Sequence, residues 1–305
     1  MNNKKILITG GAGFIGSNLA MALQEKYPDN DYFIISNFSP ANSDNLLGFK
    51  GKVISDDISK IDFNQYFDKM DIIFHKAAIT DTTLSDQNKM MFNNIEGFKK
   101  VLKFAVKSKA KLIYASSASV YGHSNSPMRV GENEISANIY ASSKLAVDNI
   151  ARKYFNRLPI IGLRYFNVYG LKEGYKGKNA SMIWQLYLQM KEQKRPRIFK
   201  YGEQKRDHVY IKDIVAANLL ALECPKSGIF NIGSGKAVSF NEIIKILNEE
   251  LGINLEPEYI DNPYKHYQEH TEADLADTNK ILKYTPTYNI KKGIKDYLHG
   301  QISNS

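Results

Sequence analysis

Cysteine is nearly absent from this 305-residue chain: Cys224 stands alone, so no internal disulfide can form, which fits a reducing compartment such as the cytoplasm. Arginine is scarce too, supplying seven of the 41 basic residues that stand against 32 acidic ones to give a formal charge of +9. The excess is lysine, spread along the chain in pairs such as Lys4-Lys5, Lys99-Lys100 and Lys291-Lys292. A nucleic-acid binder would gather such charge on one face or tail, so the pattern speaks for a solvated surface. No stretch approaches the roughly 18 uninterrupted apolar residues of a membrane span. Two lysines and then Ile6 to Ile8 ahead of a glycine loop are too short for a signal-peptide core. The expectation is a soluble, cytoplasmic protein. With 43% hydrophobic and 24% charged residues, the chain has apolar material for a large core, in one domain or in two of about 150 residues each.

Strand-like runs rich in β-branched residues alternate with helical patterns through the first half. Strands are expected at 5–9, 32–36, 52–54, 71–75, 111–116 and 159–165, and helices at 17–26, 93–107 and 141–154. This order implies an α/β, Rossmann-type doubly wound parallel sheet covered on both faces. After Tyr165 the rhythm breaks. Residues 170–180 are rich in Gly, Lys and Asn and form a loop, 181–192 are helical, and 207–222 return as strand and helix, with a short strand at 229–232. Helices follow at 240–251 and 290–298. The expected division is a dinucleotide-binding domain of residues 1–166 plus about 207–233, and a smaller, discontinuous α+β substrate-binding lobe of about 167–206 plus 234–305.

The run Thr9-Gly10-Gly11-Ala12-Gly13-Phe14-Ile15-Gly16 follows the first strand and opens the first helix. Glycines at Gly10, Gly13 and Gly16 allow a tight turn, close approach of backbone to a diphosphate and close packing of helix on strand; the helix N-terminus offers N–H groups to phosphate. What is missing is the acidic residue that usually ends the second strand and binds the ribose hydroxyls of NAD, about 20 positions on. Ser36-Asn37 stand there instead, so NADP is admitted and expected as the preferred cofactor, with NAD possible. No arginine lies nearby; Lys50 or Lys52 is available to supply positive charge.

Ser117 lies at the end of the 111–116 strand, and Tyr140-Ala141-Ser142-Ser143-Lys144 lies on a helix. Residues at i and i+4 share one helix face, so the Lys144 ammonium is expected beside the Tyr140 phenol, lowering its pKa from about 10 toward neutrality. A tyrosinate then serves as general base toward a substrate alcohol whose oxygen Ser117 hydrogen-bonds.

With these elements the chain resembles the extended short-chain dehydrogenase/reductase family, which contains nucleotide-sugar epimerases and dehydratases, and the resemblance runs nearly full length. It implies that Lys76, Ala77 and Ala78 line the cofactor, that Asp57 and Ile58 contact its adenine, and that Asn94 is the family's helix-borne asparagine. Arg164-Tyr165-Phe166-Asn167-Val168-Tyr169-Gly170, Glu173-Gly174-Tyr175-Lys176-Gly177 and Lys205-Arg206-Asp207 are similar to the branch that epimerises ADP-heptose. In that branch a lysine at the position of Lys176 is a second proton-transfer residue. The resemblance further implies substrate contacts from Thr80, Ser117, Asn167, Val168, Lys178, Gln185, Phe199, Arg206 and Tyr267, and a homo-oligomer.

Absences also sort the alternatives. A nucleotide-sugar 4,6-dehydratase carries an Asp-Glu pair where this chain has Ala118-Ser119, so elimination lacks its acid and base. A UDP-hexose 4-epimerase stays open and does not need Lys176. A cofactor-binding sensor without catalysis has no need of Ser117, Tyr140 and Lys144 together. His266, Glu269 and His270 have the spacing of an inverted zinc motif, but Pro263 and Tyr264 mark a loop and no third ligand follows, so no metal is expected.

Overall fold

Ile6, Leu7 and Ile8 are all fully buried, although consecutive side chains on a strand point to opposite faces; the strand is therefore covered on both sides. The computed structural model describes residues 1–37, 42–81, 86–263 and 268–302. Its main sheet contains β1 (Lys5–Thr9), β2 (Asp31–Ser36), β3 (Lys52–Ser55), β4 (Ile72–His75), β5 (Lys111–Ser117) and β6 (Ile160–Tyr165). Beyond β6 come the short strands β7 (Asn167–Tyr169), β8 (Arg197–Phe199) and β9 (Lys205–Tyr210), then β10 (Gly228–Ile232), β11 (Ala237–Ser239) and β12 (Glu258–Ile260). The helices are α1 (Phe14–Lys26), α2 (Gln87–Ser108), α3 (Ile139–Arg152), α4 (Met182–Lys191), α5 (Ile211–Glu223), α6 (Phe240–Leu251), α7 (Ala276–Leu282) and α8 (Ile290–Ile302).

Seven strands pair in the order β10-β6-β5-β4-β1-β2-β3, and every ladder is parallel. Ile6, Ile8 and Phe74 face Leu19 of α1 and Ala217 of α5, whereas Leu7, Ile73 and Leu112 face Phe98 and Val101 of α2 and Val147 of α3. The chain leaves β1 toward β2 and later returns to its other side at β4. That reversal opens a crevice at the carboxyl ends of the strands, the place where such sheets bind ligands.

The expected return of the chain to this sheet at residue 207 needs correction. β10 pairs with β6 and α5 packs on α1, but β9 joins a separate three-stranded sheet, parallel to β7 and antiparallel to β11. The place beside β6 is taken by β10, the strand after α5, and not by β9, the strand before it. A third, two-stranded sheet pairs β8 with β12, and α7 forms inside the Pro- and Tyr-rich connection. Helix α1 starts at Phe14, three residues before its apolar periodicity suggests, because Gly13 caps it in extended backbone. No helix among the described residues is long and apolar enough to cross a membrane.

Candidate active site

β1 ends at Thr9 and the chain turns through Gly10 at φ +69°. A Cβ at Gly10 would lie 2.6 Å from the Ala77 nitrogen, and one at Gly16 2.2 Å from the Gly10 carbonyl oxygen, so these positions admit only glycine. Gly13 has no side chain to cap α1. The Phe14 N–H is taken by the Tyr175 hydroxyl (3.0 Å), and the N–H groups that follow it in the first helical turn are left for an outside acceptor, with the helix dipole favouring an anion.

A cavity of about 290 Å³ lies over this turn. Gly10, Gly13, Phe14, Ile15 and Gly16 form one wall, and Ser36 and Asn37 at the end of β2 form another. Asp57 and Ile58 enter from the turn after β3, Lys76, Ala77, Ala78 and Thr80 from the turn after β4, Asn94 from α2, and Lys176 from the loop before α4. Lys50 and Lys52 do not reach it. Lys52 starts β3 opposite Phe33, whereas Ser36 pairs with Ser55 about 10 Å further along, and both lysines border a separate depression beside Gln24 and Tyr32. The glycine cradle, the uncapped helix and the long cleft fit a dinucleotide.

Asn94 is occupied in fixing the floor: its Oδ1 accepts the Ile79 N–H (2.8 Å), and its Nδ2 donates to the Ile79 carbonyl (3.1 Å) and to Ser143 Oγ on α3 (3.0 Å). Helix α3 begins under an Asn138 cap, whose side chain accepts the Ala141 N–H at 2.9 Å. It presents Tyr140 and Lys144 on one face. Lys144 is buried, its ammonium donating to the Ala115 carbonyl (2.9 Å) and lying 5.9 Å from the Tyr140 ring centroid. Burial brings Lys144 down to about 8, with Asp148 pulling the other way. Tyr140 departs from the expected lowering: burial raises its pKa, and the Ser117 hydroxyl opposes this by hydrogen bonding. Lys76 donates to the Tyr165 hydroxyl (3.0 Å), and burial together with the nearby Lys144 charge pushes it well below an ordinary lysine.

Lys176 sits in a 3-10 turn, Gly174–Asn179, broken at Gly177. The preceding Glu173 is fully buried and accepts hydrogen bonds from the Gly170 N–H (3.0 Å), the Ser181 N–H (2.6 Å) and the Ser181 hydroxyl (2.9 Å), pinning both ends of the loop. Burial lowers the Lys176 pKa while Glu173 opposes it, and the ammonium lies 5.7 Å from the centroid of the Phe14 ring.

Other expected substrate residues stand on neighbouring elements and do not line the 290 Å³ cavity. Asn167 and Val168 lie on β7 opposite His208 and Val209, Phe199 ends β8, and Arg206 is buried on β9. Next to Arg206, the Asp207 carboxylate accepts from Ser234, Gly235 and Ala273 backbone N–H groups, locking three segments together. Gln185 donates to the Lys178 and Ala180 carbonyls and so holds its own loop; Lys178 is exposed. Tyr267 and His266 lie outside the described residues. Among those described, no group of three His, Cys, Asp or Glu side chains could hold a metal. Sequence reasoning overlooked Tyr175, which also lines the cavity; its one signal was adjacency to Lys176.

A model of the NAD dependent epimerase/dehydratase family matches residues 6–233. The chain belongs to that family. Among the epimerases it resembles, the ADP-L-glycero-D-manno-heptose-6-epimerase of Brachyspira hyodysenteriae is 40% identical over 96% of both chains. The crystal structure of the Helicobacter pylori ADP-L-glycero-D-manno-heptose-6-epimerase is 44% identical, with a TM-score of 0.92 over 98% of this chain and 96% of that one. The UDP-glucuronic acid 4-epimerase of Bacillus cereus, solved with UDP-glucuronic acid and NAD, is 28% identical, with a TM-score of 0.87 over 97% and 99% of the two chains. The epimerase family uses a nicotinamide dinucleotide, the class of ligand the glycine cradle fits.

Proposed function

We propose that this protein interconverts ADP-D-glycero-D-manno-heptose and ADP-L-glycero-D-manno-heptose, an isomerase acting at C6 of the heptose. The observation that carries this is identity of 40% and 44% to two heptose epimerases along nearly the whole chain, against 28% to a UDP-hexuronate epimerase. Lys176, which a hexose 4-epimerase does not need, borders the cavity.

The chemistry supplied by a bound nicotinamide dinucleotide is reversible hydride transfer, which takes C6 through a ketone. The two C6 epimers present their hydroxyls in different directions, so one base cannot serve both. To take the hydroxyl proton of one epimer, while Ser117 hydrogen-bonds the same oxygen, Tyr140 would act as phenolate, a form that the positive charge of an oxidised nicotinamide would favour against the burial that raises its pKa. Lys144 holds a positive charge behind the phenol. Lys176 gives a proton to the oxygen of the other epimer once the carbonyl has turned its opposite face, and the reverse reaction exchanges the two roles. Proton exchange with water resets both groups. On the substrate side, Thr80, Asn167 and Val168 line the sugar, while Lys178, Gln185, Phe199, Arg206 and Tyr267 hold the nucleotide and its diphosphate. Arg206 suits phosphate through its planar fork.

NADP is the preferred cofactor in this proposal, because no carboxylate stands at Ser36-Asn37 to repel a 2′-phosphate; calorimetry should give tighter binding of NADP than of NAD, and equal dissociation constants would defeat the preference. The two-lobe division of the chain, with β9 moved to the substrate lobe, a homo-oligomeric state and a cytoplasmic location belong to the same proposal. The deciding experiment is incubation with ADP-D-glycero-D-manno-heptose. Formation of the L-glycero isomer without net cofactor reduction is expected. No conversion, with turnover of a UDP-hexose instead, would replace the heptose by the hexose.

A further inference from the structure

Tyr175 occupies an unusual place. Its hydroxyl oxygen accepts the Phe14 N–H at 3.0 Å, the first backbone donor of α1 after the glycine turn. In a dinucleotide-binding fold that helix end faces the cofactor's diphosphate. A hydroxyl can accept and donate at once, and among the described residues nothing accepts the Tyr175 proton. The residue borders the cavity together with Gly13, Phe14 and Lys176. Burial raises its pKa, keeping the proton on the oxygen at neutral pH.

The contact is held from several sides. Asn18 of α1 donates to the Leu171 carbonyl (3.0 Å), Lys172 donates to the Asn45 carbonyl (2.6 Å), and Asn45 donates to the Ala12 carbonyl (3.0 Å). Residues 171–176 therefore form a strap from β7 across the glycine turn, closed at its far side by the buried Glu173.

We propose that the Tyr175 hydroxyl is a ligand of the cofactor diphosphate, oriented by the Phe14 N–H, and that this contact sets the position of its chain neighbour Lys176. The proposal rests on the assignment of a nicotinamide dinucleotide to the cavity. Cofactor retention and placement of the second base then share one group: the strap already lies across the glycine turn with Lys176 at the cavity wall, and the hydroxyl that fixes it there also holds the diphosphate. A hydrogen bond from a neutral hydroxyl to a charged oxygen is shorter and stronger than one between neutral groups.

The test compares wild type, Tyr175→Phe and Lys176→Met by calorimetry with the oxidised dinucleotide, and by phosphorus NMR of the bound diphosphate. Tyr175→Phe should weaken binding roughly tenfold, speed release and move the diphosphate resonances, whereas Lys176→Met should bind within about threefold of wild type. Binding by Tyr175→Phe equal to or tighter than wild type, with unmoved resonances, overturns the inference and leaves the cofactor assignment standing. Equal weakening in both variants overturns it as well, since the loop and not the hydroxyl would then be responsible. A wild type that binds no dinucleotide removes the assignment and the inference together.

Discussion

Tyr140 and Lys176, the two proposed proton-transfer groups, are held in opposite ways. Tyr140 lies in the first turn of a fourteen-residue helix that is capped by Asn138 and tied through Ser143 to Asn94. Lys176 lies in a six-residue 3-10 turn whose backbone breaks at Gly177, and its order comes from side chains: Glu173 behind it and Tyr175 beside it. Pairing a base on a helix with one on a strap suits a reaction whose ketone must turn over between its halves, because the two groups reach the cavity from separate elements. It also divides the sources of order. The helix gets its place from secondary structure and packing, the strap from side-chain hydrogen bonds, three of them to the buried Glu173 carboxylate.

The comparison breaks most directly at the two bases. Tyr140→Phe and Lys176→Met should each cut epimerisation by about a thousandfold, within the usual range for loss of a general acid or base. The two variants should fail on opposite substrates. With bound oxidised cofactor, one epimer should still produce the near-ultraviolet absorbance of the reduced nicotinamide in Tyr140→Phe, and the other epimer in Lys176→Met. Identical loss on both epimers would mean that one base serves both. A smaller effect is expected from Glu173→Gln. The amide nitrogen cannot accept from Ser181, so a buried donor loses its partner, costing about 1–3 kcal/mol of stability in urea unfolding. Turnover should fall about tenfold, mainly through kcat and on the half-reaction that needs Lys176. An equal loss on both half-reactions would show that Glu173 supports the fold generally and not the strap.

What could be read in the sequence follows the same division. The glycine turn and the Tyr140/Lys144 pair were legible because their residues are close in the chain and their meaning depends on the adjoining strand or helix. The strands of the main sheet were legible from runs such as Ile6 to Ile8 that are buried on both faces. Tyr175 was not, since its partner Phe14 is 161 residues away and no periodicity connects them. The same holds for β9, whose pattern shows a strand but not which sheet has an edge open to it, and for the Tyr140 phenol, where helical spacing put an ammonium nearby without revealing that Ala115 holds it. Lys176 was found only through the resemblance of its flanking residues to a family.

A final contrast lies between two buried histidines, one on each side of the same division. His75, at the end of β4 beside the cavity, bonds Thr9 Oγ1 through Nδ1 at 2.8 Å; His208 on β9 packs against Tyr169 and Phe240, and neither of its ring nitrogens has a partner among the described residues. Burial, as the leading cause, holds both at about 3, below the ordinary 6.5. A depressed pKa means that the unfolded chain binds the proton first, so stability is present above pH 6.5 and is lost as the pH falls toward 3. Each neutral buried histidine should therefore cost about 2 kcal/mol between pH 7 and pH 5. In His208→Phe the urea midpoint should change little at pH 7, and its fall on acidification should be shallower than in wild type by that amount. Substitution of His75 should flatten the acid limb similarly, but it also removes the Thr9 contact below the glycine turn and should weaken cofactor binding, which His208→Phe should not. Parallel midpoint curves for wild type and His208→Phe would show that the His208 ring is already protonated, or hydrated, in the folded protein.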